Sequence, residues 1–421
     1  MRSCFRGIAV IALGVGLLGG CSDDPGPTGG TSGTGGDGGT GGTPECASPE
    51  DCDDDGDECT AALCTGGTCQ TTPLDDGAVC TEGECHQGAC TPVFPCTEQG
   101  IRDAIAEGGG PHFFDCVGPT TVATEAQIVI DNDVILDGEG ELTVDGQGDH
   151  RVFRVENGVE TELRGVTVTG GFAEGDFPDN SGGGIYISNT GTLTLTNSTV
   201  SDNTAQVGGG INNSGTLTLT NSTVSGNTAQ VYGGGISNNG TLTLTNGTVS
   251  GNNAGRDGGG IYISNTGTLT LTNGTVSGNT VGRDGGGIYN SGTLTLTNGT
   301  VSGNTAIDEG YGIYNEGTVT LTNTLMDDPC AVNSPTSLGG NLESPGNTCG
   351  LNRTTDQVNV SADDLKLGPL ADNGGPTETK ALGAGSVAID AIPAAACDAT
   401  TDQRGEPRDS MCDVGAFEVQ P

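Results

Sequence analysis

A seven-residue string, Gly-Thr-Leu-Thr-Leu-Thr-Asn at Gly191–Asn197, returns along the chain at a nearly fixed interval. It recurs as Gly215–Asn221, Gly240–Asn246, Gly267–Asn273 and Gly292–Asn298, and as Gly317–Asn323 with Val319 in place of the first Leu. The starting glycines stand 24, 25, 27, 25 and 25 residues apart, a period that signals a solenoid. Each copy follows a Gly-Gly-Gly-Ile block, as at Gly208–Ile211 and Gly233–Ile236, which decays to Tyr311-Gly312-Ile313 in the last unit. Each is trailed by Thr-Val-Ser-Gly-Asn, as at Thr223–Asn227 and Thr248–Asn252, with Asp202 in place of Gly in the first unit. Three short strand-like strings per period predict one three-sided coil of a parallel β-helix.

The alternation within Thr-Leu-Thr-Leu-Thr selects strand over helix, because period two sends both Leu to one face and all three Thr to the other. Thr is β-branched and suits a pleated surface. The Leu pairs are expected to stack along the axis and the Thr triplets to form an outward ladder rising ~4.8 Å per coil. Asn197, Asn221, Asn246, Asn273, Asn298 and Asn323 occupy one register, and Asn203, Asn227, Asn252, Asn279 and Asn304 another. Asn tolerates left-handed backbone at corners, and stacked Asn side chains can hydrogen-bond along a stack.

A solenoid also reconciles the pattern with the composition. Only 32% of the 421 residues are hydrophobic and none is Trp, too little for an ordinary globular core but enough for a thin column. The formal charge of -41 argues against nucleic acid as a partner. Residues 1–20 carry Arg2 and Arg6 ahead of the apolar run Ile8–Leu18, the layout of a signal peptide. Leu18-Gly19-Gly20-Cys21 resembles a bacterial lipobox, which implies cleavage before Cys21 and a lipid on that cysteine. The Gly/Thr-rich stretch 21–45 reads as a flexible tether. Together these predict an outer-membrane lipoprotein exposed at the cell surface and held through its acyl chains.

Residues 46–95 form a cysteine-rich module with Cys46, Cys52, Cys59, Cys64, Cys69, Cys80, Cys85 and Cys90. An even count in an exported chain predicts disulfides, without choosing among the pairings. Zinc is the weaker reading, since no CxxC pair occurs. The run Cys52-Asp-Asp-Asp-Gly-Asp-Glu-Cys59 through Cys69 resembles small repeats of slime-mould matrix proteins and of myxobacterial surface lipoproteins, which implies a spacer or interaction module. Asp51, Asp53 and Asp55 match the opening of a calcium loop, but Ala62 stands where an EF-hand needs its bidentate Glu. Calcium is the one cofactor these residues suggest.

The main body is assigned to 96–336. Thr97 is a plausible N-cap, Ile101 and Ile105 share one helical face, and Gly108–Gly110 stops the helix. Such a helix would cover the unpaired edges of the first coil, with Cys96 and Cys116 stapling it. Two irregular coils precede six regular ones, about eight in all. The Gly-Gly-Gly-Ile and Ser-Gly-Asn strings resemble repeats of chlamydial polymorphic outer-membrane proteins, with Val200 and Val224 replacing that family's Phe. From Ser337 onward, Leu367-Gly368-Pro369-Leu370-Ala371-Asp372-Asn373-Gly374-Gly375-Pro376, Asp402-Gln403-Arg404-Gly405 and Cys412-Asp413-Val414-Gly415-Ala416-Phe417-Glu418 resemble bacterial choice-of-anchor Q proteins. That likeness implies a β-helix closed by a module over 337–421, with Cys330 joined to Cys349 and Cys397 to Cys412, and it implies no activity.

The fold class is therefore all-β: a right-handed parallel β-helix with an N-terminal capping helix, behind a disulfide-rich module and a linker. Adhesion or an envelope-structural binding role is the expected function, with surface glycans or proteins of neighbouring cells as partners. A polysaccharide lyase or hydrolase is the alternative, because right-handed β-helices include such enzymes, but the regular coils hold only Arg256 and Arg283 as bases and their acids are expected at separate corners. Asp145-Gly-Gln-Gly-Asp149-His150-Arg151 is the richest polar string, read chiefly as a turn. The candidate binding face is the Thr grid, centred on Thr194, Thr196, Thr218, Thr220, Thr243, Thr245, Thr270, Thr272, Thr295 and Thr297. Its rows resemble the Thr-x-Thr faces of ice-binding β-solenoids, which makes ice or a crystalline polysaccharide a further alternative.

Overall fold

The computed structural model describes residues 48–49, 52, 59–65, 68–74, 78–80, 83–86, 89–397 and 399–420. Cys21 and the calcium candidates Asp51, Asp53 and Asp55 lie outside the described residues. The chain forms two compact units. In the first, which takes in Ala62–Gln70, Cys52 is bridged to Cys69. All else described below belongs to the second, where Cys59 is bridged to Cys85 and Cys80 to Cys90.

The main body is a right-handed parallel β-helix. One coil shows the plan: Ile236–Asn238, Thr241–Thr245, Thr248–Ser250 and Asn253–Ala254 are successive strands. Every strand pairs in parallel with its equivalent one coil on, so that Leu217 faces Leu242 and Leu242 faces Leu269. Each regular coil but the last adds a fourth, short strand to the three expected, and the strands still fall into three sheets. The fourth strand is a two-residue to five-residue element, from Phe172–Ala173 to Thr305–Ala306, and a Thr-Ala pair is too short to show a period. Its inward residues are small, Ala205, Ala229, Ala254 and Ala306 with Val281.

The Ile strands form a nine-stranded sheet from Ile128–Ile130 to Cys330–Val332. The coil beyond the regular repeats is built by Cys330–Val332, Thr336–Gly339 and Leu342–Glu343, so the ladder runs past Ser337. Inside the column, the two Leu, the Ile and the Val of each regular coil, with Val319 and Met326 as replacements in the last, are completely or almost completely buried. Each contributes roughly 1.5–3 kcal/mol of hydrophobic stabilisation, less any burial already present in the unfolded chain.

Two asparagine registers do different things. Asn197, Asn221, Asn246, Asn273, Asn298 and Asn323 all adopt left-handed backbone, with φ between 48° and 54°, at the corner between the second and third strands. The other register is a buried internal ladder rather than a row of corners. Asn203 Nδ2 donates to Asn227 Oδ1 at 3.0 Å, and the relay continues through Asn252 and Asn279 to Asn304. It ends at Asp328, whose carboxylate accepts from the Asn304 amide side chain and from the backbone N–H groups of Gly303 and Asn304. A second, broken ladder joins Asn213 to Asn238 and Asn290 to Asn315, with Ile263 interrupting it. In the glycine blocks, the middle residue has no room for a side chain: a Cβ on Gly234 would collide with the Gly259 carbonyl of the next coil.

Helix α1 spans Glu98–Glu107. The Thr97 hydroxyl accepts from the Gly100 N–H at 3.1 Å, and Ile101, Ala104 and Ile105 are buried against the first coil. Cys96 is bridged to Cys116 beside it. At the other end Cys330 is bridged to Cys349, and Cys397 to Cys412. Beyond the ninth coil the chain folds back along the flank of the column. Leu325, Leu342, Leu365, Leu382, Ile392 and Val414 form a separate small core there.

Candidate binding surfaces

The Thr-Leu-Thr-Leu-Thr strands carry their Thr side chains outward in register over six coils. Of the named positions, Thr270 is exposed, and Thr194, Thr196, Thr218, Thr220, Thr243, Thr245, Thr272, Thr295 and Thr297 are half-buried. The column farthest from the Asn corner is exposed at Thr216, Thr241, Thr268, Thr293 and Thr318, and half-buried at Thr192 in the first coil. The grid meets a different chemistry at its N-terminal edge. There Thr196 donates to Glu162 at 2.9 Å, and Arg164 pairs with the same carboxylate. The hydrogen bond from Arg164 holds Glu162 below the usual carboxylate range. Thr161 replaces the inward Leu in this coil and is buried, and its hydroxyl has no hydrogen-bond partner.

A second surface was not legible from the repeats. All six tyrosines of the chain fall between Tyr186 and Tyr314. Tyr262, Tyr289 and Tyr314 take the outward middle position of the Ile strand in three successive coils, and Tyr232 joins them from the preceding glycine-block register. Their rings stack at centroid spacings of 4.7, 5.2 and 5.1 Å with planes within 26° of parallel. Arg256 lies over the Tyr232 ring at 5.3 Å.

Beside this row Asp257 and Asp284 are adjacent in register, and Arg283 approaches both, at 3.0 and 3.1 Å. This corrects the expectation that these acids stand apart. Burial raises the pKa of Asp257, against the opposing pull of Arg283 and Arg256. Tyr289 donates its hydroxyl to Glu316 at 2.8 Å, and burial together with that bond raises the pKa of its phenol. The signal that could have exposed this strip was the spacing of Tyr262, Tyr289 and Tyr314, 27 and 25 residues, which follows the repeat.

Residues 153–325 match the family model for a right-handed β-helix region. No curated protein matches the chain. The matched stretch runs from the second strand of the Ile sheet to the eighth coil, so the β-helix similarity covers both surfaces and excludes α1 and the folded-back segment.

On this β-helix the polar string before Val152 is structural. The Arg151 guanidinium is buried and donates to the carbonyls of Pro178, Asp179, Ser181 and Gly182, at 2.7 to 3.1 Å, while lying 5.2 Å from the Tyr186 ring. It fastens the excursion that precedes the first glycine block. Burial lowers its pKa to about 10, so it stays charged near neutral pH. His150 is engaged by the Thr124 hydroxyl at 2.9 Å. Among the described residues the sulfurs of Cys59, Cys80 and Cys90 lie within 4.8 Å of one another, but all three are in disulfides, which removes them as zinc ligands.

The folded-back segment covers part of the third strand row. Gln403 donates to Thr248 Oγ1 at 2.8 Å and accepts from Thr275 Oγ1 at 2.7 Å, and the Thr300 hydroxyl accepts from the Ala416 N–H. Thr248, Thr275 and Thr300 are thereby buried, while Thr199 and Thr223, on earlier coils, stay half-exposed. The Thr grid itself lies on the neighbouring side.

Proposed function

We propose that this protein is a lipid-anchored β-helix protein of the bacterial cell surface, serving adhesion or envelope binding. The leader ending at Cys21, the tether over 21–45 and the disulfide-bonded module support the location. The observation that carries the binding role is the Thr grid: six coils of outward hydroxyls in register, with an outer column exposed beyond the first coil. An extended flat face of this kind engages an extended partner better than a small molecule, which sits in a concave site. Surface glycans and proteins of neighbouring cells are the partners that fit, and the acidic surface disfavours nucleic acid. Calcium at Asp51, Asp53 and Asp55 belongs to the same proposal, and calorimetric titration of the full chain against calcium tests it.

Comparing cells that lack the protein, carry it, or carry the Cys21→Ala form tests the whole reading. Adhesion to other cells and to coated surfaces is expected to fall in the first and third. Unchanged adhesion, or resistance of the wild-type protein to external protease on intact cells, would reject it.

A polysaccharide-active enzyme is the second reading, favoured by buried Asp257 beside Asp284 and Arg283. Release of reducing or unsaturated ends from polysaccharides by the purified chain, lost in Asp257→Asn, would support it. The regular Thr spacing keeps an ice or crystalline-polysaccharide surface as a third occupant of the grid, and thermal hysteresis tests the ice form.

A further inference from the structure

The tyrosine row has one covered end and one open end. At the first, the Arg256 guanidinium lies over Tyr232. At the last, the residue paired with Tyr314 in the next coil is Ala331, so the ring position that continues the row is filled by a methyl group. Among the described residues no ring or guanidinium covers that side of Tyr314. Tyr314 is half-buried, as is Tyr262 within the row, while Tyr289 between its two neighbours is 7% exposed. Tyr311 and Val332, in the eighth and ninth coils, are 42% and 55% exposed.

We propose that the open end of the row, the Tyr314 ring face above Ala331, is a glycan subsite that takes one pyranose ring of a neutral polysaccharide where a further tyrosine would stack. This rests on the reading of the protein as a surface binder and names its ligand class. The ring face carries the negative side of the aromatic quadrupole, which attracts the polarised C–H groups on the face of a sugar. The exposed Glu309 carboxylate nearby supplies an acceptor for a sugar hydroxyl. Asp284, Glu316 and Glu309 all lie close enough for their charges, with burial as the larger cause, to raise the pKa of the Tyr314 phenol, which therefore stays a donor. The same charges repel an anionic ligand, so uronate and sulfated chains are disfavoured. An aromatic side chain of a partner protein would fit the slot but would leave the exposed Glu309 carboxylate unused.

The test uses the full chain titrated with cellohexaose and chitohexaose. The protein has no Trp and four of its six tyrosines form the row, so tyrosine emission reports binding there. Wild type is expected to bind at least one of the two with a change in tyrosine emission. Ala331→Tyr, which fills the slot and extends the stack, is expected to weaken binding roughly tenfold, with the melting temperature unchanged or raised. Tyr314→Ala is expected to weaken it similarly, and Tyr232→Ala, at the covered end, to leave it intact. Binding that survives Ala331→Tyr overturns the subsite. Absence of oligosaccharide binding in cells whose adhesion still depends on the protein overturns the subsite alone, whereas loss of both results overturns the surface-binding reading as well.

Discussion

Asn252 shows how much one side chain carries in this column. Its Nδ2 donates to the Val224 carbonyl and to Asn279 Oδ1, and its Oδ1 accepts from both the backbone and side-chain N–H groups of Asn227. Asn252→Ala therefore strands buried donors and an acceptor, and is expected to cost roughly 3 kcal/mol or more, read as a lower urea midpoint. Asp328 ends the same relay because only a group with two acceptor oxygens can receive three N–H donors and return none. Asp328→Asn turns one acceptor towards the Gly303 or Asn304 donors into a donor, and a loss of about 1–3 kcal/mol is expected. The corner asparagines answer to backbone instead. With φ at 54°, Asn246→Gly should be nearly neutral and Asn246→Val clearly destabilising, a difference that thermal melts will read.

Among the elements, the folded-back segment grips the third strand row through polar contacts. Gln403 reaches Thr248, Thr377 and Thr275 with one side chain, so Gln403→Ala is expected to speed proteolysis within residues 345–420 while the column stays intact. Asp413 makes this docking depend on pH. Burial raises its pKa from 3.8 to about 6, helped by the charges of Glu418 and Asp390 and opposed by N–H bonds from Val419 and Asp390. The folded segment therefore binds the proton more tightly than the unfolded chain. The contribution is full below about pH 4 and lost as pH rises through about 6. Melting temperatures measured from pH 4 to pH 8 should show this fall, and Asp413→Asn should flatten it. At the opposite end, α1 buries Ile101 and Ile105 over the first coil. Replacing both with Asp is expected to expose that edge and produce aggregation, seen by light scattering.

For the whole molecule, stability is a sum over coils and their interfaces. Deleting residues 215–239 removes one complete period ahead of the coils that Gln403 grips. The product is expected to fold with the same circular dichroism per residue and a modestly lower melting temperature. Deleting half as many residues breaks every register at once and is expected to prevent folding.

The sequence by itself determined the period, the strand identity of the Thr-Leu string, the inward Leu and outward Thr, and the left-handed Asn corners. Each is written in alternation or spacing within one repeat, and period two or a corner φ is a local property. The fourth strand, the tyrosine row, the Asp257–Arg283–Asp284 cluster and the burial of Thr248 under Gln403 were decided only by the tertiary structure. These join different positions of different coils: Tyr232 meets Tyr262 across registers, and Gln403 meets Thr248 from 155 residues away. Such contacts depend on how coils stack and where the chain returns, and no local pattern encodes either.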